Sequence, residues 1–135
     1  MATSIHDHRV VALSVDAAAR TIRLRTAYPE PTGPDFADVV FEGVEGYTFR
    51  GDALGTILFD IEPVDAISLY REYAVEMQRA YADGGGHGPW VRSESVAEAF
   101  LAGGEIHGYR VSSSIGLDGA VWARHLSIST DEQTR

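Results

Sequence analysis

The chain contains no cysteine, and all eleven of its basic residues are arginine. Without cysteine there is no disulfide frame, no thiolate metal ligand and no thiol nucleophile. Without lysine there is no Schiff-base chemistry and no amine general base, because both need an amine with a tunable pKa. The codon bias of a GC-rich genome accounts for arginine alone. Selection against lysine-directed modification is a second account. No apolar run approaches the roughly 20 residues of a membrane helix. Met1 to His8 also lacks the basic and apolar regions of a secretory signal. A cytoplasmic setting without a membrane partner is the expectation.

Positive charge is scarce. Twenty acidic residues against eleven basic ones give a formal net charge of −9. A field of that sign repels phosphate backbones and anionic lipid, so no nucleic-acid partner is expected. A basic partner protein fits better, although solubility alone also accounts for such a charge. At 135 residues the chain reads as one domain spanning 1–135, with 1–5 and 130–135 expected to be flexible. A domain of this size buries about two-thirds of its unfolded surface and folds without metal or disulfide.

The hydrophobic pattern has two periods. Val11, Leu13 and Val15 alternate with polar residues, as do Ile22, Leu24, Thr26 and Tyr28, which predicts a hairpin with a loop at Asp16–Arg20. Pro29–Pro34 reads as a loop. Val39–Phe41, Tyr47 with Phe49, and Thr56–Ile61 predict three further strands. Gly51-Asp52 is expected to turn between the last two, and Pro63 to stop the fifth. Asp65 can cap a helix whose stripe is Ala66, Tyr70, Tyr73, Ala74, Met77, Ala80 and Tyr81. Ser95 and Glu98 match a capping box and predict a second helix, stopped by Gly103-Gly104. Ile106–Ile115 and a strand carrying Trp122, Leu126 and Ile128 on one face follow, joined by an Asp118-Gly119 turn. Strands and helices are segregated along the chain. The expected fold class is α+β, a largely antiparallel sheet of about seven strands with two helices packed on one face.

Chemistry has few candidates. His6 and His8 would point the same way on an extended segment and could offer two imidazoles to a divalent metal. The third ligand would come from Asp60, Glu62, His107 or His125. The plainer reading is a strand start, with no cofactor. Ser112–Ser114 with His107, His125, Asp60 and Asp118 contain the ingredients of a triad but no nucleophile elbow. Asp60 and Glu62 share a strand face and could form a carboxylate pair or simply a solvated edge. Gly84–Trp90 leaves a helix rather than entering one, which argues against a phosphate cradle. Trp90 within it is either a core anchor or a partner contact. Tyr70, Tyr73, Tyr81 and Trp122 could line an aromatic pocket, or be core.

The segments IHDHRVVALSVD, TIRLRT, ADVVFEGVEGYTF and GTILFDIE resemble a family of small bacterial and plant domains without assigned function. They are also distantly similar to immunity-type domains found beside bacterial polymorphic toxins. The likeness runs from Ile5 to Glu62 and leaves Gly84 to Arg135 unmatched. It implies a non-catalytic domain that binds a basic toxin partner through acidic surface, and it carries over no contact residues; Asp60, Glu62 and Trp90 are contact candidates read from the residues themselves. The alternatives are a metal site at His6 and His8 and a small-ligand-binding domain. Exposed strand edges are compatible with a homodimer.

Overall fold

The computed structural model describes residues 5–29, 35–51, 54–84 and 88–130. Among the described residues there are eight strands: β1 (Arg9–Asp16), β2 (Thr21–Tyr28), β3 (Asp35–Glu42), β4 (Gly46–Arg50), β5 (Ile57–Val64), β6 (His107–Ile115), β7 (Asp118–Ala123) and β8 (His125–Thr130). Two helices, α1 (Ala66–Ala82) and α2 (Glu94–Leu101), lie between β5 and β6, with a 3-10 turn at Pro89–Arg92. The sheet order is β4-β7-β6-β5-β1-β2-β3-β8, and every neighbouring pair is antiparallel. The α+β class with a large antiparallel sheet is thus as the sequence pattern indicates, with one more strand.

That order hides a closure. β3 pairs with β8 and β4 pairs with β7, so β3–β4 and β7–β8 form one long two-stranded ribbon. The ribbon bends where Arg124 N–H reaches the carbonyls of Glu42 (3.0 Å) and Gly43 (3.2 Å), and Glu45 N–H reaches Trp122 O (2.8 Å). β2 and β1 extend the sheet from one arm, β6 and β5 from the other. The arms meet again at Arg9 and Ile57. The sheet therefore rolls around one interior, filled by Ile22, Leu24, Val39, Phe41, Leu58, Val111 and Val121.

The helices cover only one arm, the one built from β4, β7, β6 and β5. Asp65 caps α1 by accepting from Ser68 N–H at 2.9 Å. Leu69, Tyr70, Tyr73 and Met77 face inward from α1, against Ala120 and Trp122 of β7. β7 is thus buried on both faces, with Val121 and Ala123 inside the rolled sheet and Trp122 under the helices. Gly119 lets β4 approach: a Cβ there would lie 2.0 Å from Thr48 O.

Several expectations shift by a residue or two, each for a local reason. A bulge between Val10 and Ala12 puts Val10 rather than Val11 with Leu13 against the core, and Val11 is 54% exposed. The bend at Arg124 likewise splits the last strand. Trp122 joins the helix-side core while Leu126 and Ile128 pack on the interior, so the three do not share a face. Pro63 does not end β5 but pairs with Tyr109, where β6 is the only strand beside β5, as a residue without N–H requires. Ser93, not Ser95, caps α2 by accepting from Val96 N–H at 3.3 Å. The turn before β7 has its positive φ at Gly116 (98°) rather than at Asp118 or Gly119.

The expected flexible ends also divide. Ile5 is 4% exposed and belongs to the core, and Thr130 closes β8. Residues 1–4, 30–34, 52–53, 85–87 and 131–135, including His87 and most of the Pro29–Pro34 loop, lie outside the described residues.

Candidate functional site

The expected histidine pair is not a pair. Asp7 takes a left-handed conformation with φ 66°, and the segment turns instead of extending, with His8 N–H donating to Ile5 O at 3.0 Å. His6 is consequently exposed while His8 is 5% exposed. The period-two argument fails because it holds only on a strand. Among the described residues no group of three or more His, Asp or Glu side chains is placed to hold a metal ion.

The other candidates sort by burial. Trp90 is 5% exposed, its Nε1–H donates to Glu45 O at 3.0 Å, and its ring stacks on Phe100 and meets Trp122 edge-on. It is a core anchor and has no face for a partner, which removes it from the contact candidates. Tyr70 and Trp122 are fully buried and Tyr73 nearly so. Their polar ends are satisfied internally, with Tyr70 Oη–H donating to Val91 O at 2.7 Å and Trp122 Nε1–H to Ala66 O at 3.0 Å. Burial raises the Tyr73 pKa, with the Arg50 guanidinium 4.5 Å above its ring acting against that. These aromatics form a core, not a pocket. Asp60 and Glu62 are both exposed on the outer side of β5. His107 and His125 are exposed as well, and Ser112–Ser114 run along β6 opposite β5.

A concave feature lies elsewhere among the described residues. At an open corner of the rolled sheet, the end of β1 and start of β2 face the segment Val44–Phe49 across a cleft of about 600 Å³. Its floor is apolar: Ile22 and Val44 sit with the half-buried rings of Tyr47 and Phe49, 5.5 Å apart. Its rim is charged. Arg20 pairs with Glu45 at 2.8 Å and Arg124 approaches the same carboxylate at 3.5 Å. Asp16 completes the rim and uses one oxygen to accept from Ala19 N–H at 2.9 Å. A shallower polar depression lined by Ser14, Arg23, Glu42 and Ser127 adjoins it through Asp16 and Thr21. Among the described residues β4 pairs with β7 alone, and its residues Gly46–Phe49 line the cleft.

Residues 15–22 and 44–49 come together only through the bend of the ribbon. In the sequence, Gly43 and Gly46 and the loop at Asp16–Arg20 mark where the chain turns and not what it faces. Comparison with protein-family models, with curated proteins and with solved structures returned no match to this chain.

Proposed function

We propose that this is a non-catalytic binding domain, possessing the immunity-like character its N-terminal half resembles, that takes an extended segment of a basic partner protein at the open corner. The supporting observation is the cleft itself, where the outermost strand of the arm among the described residues, two half-buried aromatic rings and a charged rim meet. Free edges accept added strands through main-chain hydrogen bonds, while side-chain pockets select the sequence. Glu45 is already neutralised by Arg20 and Arg124, so attraction of a cation falls to Asp16, to neighbouring Glu42, to Asp60 and Glu62 on the far arm, and to the overall field.

The test is a selection of displayed peptides against the intact domain, repeated with Tyr47→Asp. Enrichment of basic, extended sequences that bind the parent and are lost with a folded Tyr47→Asp protein supports the reading. Binders that instead perturb the amides of β5, or no enrichment, overturn it. The immunity-like form adds that co-expression relieves the toxicity of a basic toxin domain.

The cleft volume also lies within the usual range of small-molecule sites. A small ligand there, in place of the aromatic pocket expected at Tyr70–Tyr81, is the second reading. A compound-library thermal shift that survives Asp16→Asn but not Tyr47→Asp would favour it. A homodimer through the β5-facing edge of β1, where strand pairing ends at Arg9 among the described residues while β2 covers the other edge, is distinguished from both by sedimentation at several concentrations.

A further inference from the structure

The turn Ile5–His8 sits where the rolled sheet closes, and its chemistry is unlike that of any other strand start in the molecule. Only one residue pair, Arg9 with Ile57, joins β1 to β5. Backbone hydrogen bonds around it complete the joint: Asp7 N–H to Leu58 O at 2.8 Å, Leu58 N–H to His8 O at 2.9 Å and Val10 N–H to Thr56 O at 3.0 Å. Ile5, held by the turn, plugs the interior at 4% exposure. Every one of these contacts passes through or beside His8.

The His8 side chain is buried with them. Its Nδ1 lies 2.9 Å from Thr26 Oγ1. The Thr26 hydroxyl has one proton, and that proton is directed to Ala37 O at 3.3 Å. The tautomer compatible with that bond carries its hydrogen on Nδ1, donates to Thr26 and leaves Nε2 as the unprotonated nitrogen of a neutral ring. The Tyr28 ring is 5.6 Å away, centroid to centroid. Backbone bonds bring Leu58 of β5 against this segment, β2 offers Thr26 and Tyr28, and β3 offers the carboxylate of Asp35. On its own segment His8 is flanked by Asp7 and Arg9, both exposed.

We propose that His8 is a pH-sensitive latch: neutral, it holds the Ile5–His8 turn and the β1–β5 joint closed, and protonation at Nε2 releases them. Releasing that joint uncovers Ile5 and Leu58 and opens the interior along the edge of β1, while the ribbon and the helix-covered arm stay folded. The sign follows from burial. Desolvation lowers the His8 pKa below its ordinary value of 6.5, and Asp35 opposes this to a smaller extent. The open form therefore binds the proton more tightly than the closed one. The closed form has its full advantage above about pH 6.5 and loses it as pH falls from there through the lowered value. Each unit of that displacement changes the opening equilibrium about tenfold. This inference is independent of what binds at the cleft.

The test is native-state amide exchange of the whole chain between about pH 7.5 and 5.5, with rates corrected for intrinsic exchange, since histidine titrates in that window. The amides of Asp7, Val10 and Leu58 should lose protection several-fold more than those of β3 and β7. His8→Asn keeps a donor near the Nδ1 position and does not titrate, so its profile at the same amides should be flat. His6→Asn, at the exposed neighbour, should behave as the parent. An independent reading needs no variant: the His8 ring resonances should titrate below the ordinary histidine value of 6.5, with the midpoint matching the loss of protection. Equal loss across all strands, an unchanged pH response in His8→Asn, or a His8 titration at or above the ordinary value of 6.5 would overturn the latch.

Discussion

The two arms of the sheet solve burial differently. In the arm of β1, β2, β3 and β8, one face lines the interior and the other meets solvent. β2 shows this plainly, with Ile22, Leu24 and Thr26 fully buried between the exposed or half-buried Thr21, Arg23 and Arg25. In the arm of β4, β7, β6 and β5, the outer face carries the helices, and β7 is buried from Gly119 to Ala123. The first arm is written in alternating residues, the second in small and aromatic ones. The ion pairs differ as well. Arg25–Asp38 lies on the bare face, whereas Arg110–Glu72 and Arg50–Glu76 fasten α1 to β6 and β4. A strand covered on both sides cannot spend residues on solvent. The cleft is lined instead by β4, the outermost strand of this arm among the described residues, and by the β1–β2 turn.

This contrast can be broken in a graded way. Trp122→Ala empties a fully buried site between β7 and α1 and should cost about 3–5 kcal/mol, the usual range for a deleted core aromatic. Urea unfolding followed by tyrosine fluorescence and far-UV dichroism checks it, and a loss below 1 kcal/mol would mean that the helix layer is only loosely attached. Asp65→Ala removes the cap that anchors α1 over this arm and should cost about 1 kcal/mol. Asp65 also sharpens the pH behaviour, since its hydrogen bonds from Ser68 hold the carboxyl below the usual range. Its contribution is complete above the ordinary carboxylate pKa and fades as acid protonates it, well below the window in which His8 acts. Arg23→Ala on the bare arm should stay within about 0.5 kcal/mol. A larger loss there would show that the uncovered face is held by more than its interior side.

The sequence makes the alternating arm readable and the covered arm less so. β2 and β3 follow from period-two patterns, and α1 from its cap and its aromatic stripe. What escapes is every place where one residue changes the phase. The Val11 bulge and the Arg124 bend each leave correct alternation on both sides, so the pattern looks continuous although the facing has flipped. Ser93 and Ser95 satisfy the same capping rule two residues apart, and local spacing cannot rank them. Pro63 reads as a stop because sequence does not reveal that its strand has only one neighbour at that point. The His6–His8 pair fails for a related reason: a single left-handed residue, Asp7, converts an expected strand into a turn. The cleft lay beyond reach altogether, because its walls are far apart in the chain and meet only through the bent ribbon.

The same ribbon sets the order in which the protein can be made. Val39 pairs with Ile128, so at synthesis rates of about 5–20 residues per second the partner of β3 emerges roughly 4–18 s after β3 itself. During that interval Val39 and Phe41 have no β8 beside them, and β7 has not yet arrived to receive α1. The helix can form early, since Asp65 and Ser68 are local, but the rolled sheet cannot close. Folding of this domain is therefore gated by its last strand, and the growing chain spends several seconds with an uncompleted sheet edge that a chaperone would recognise.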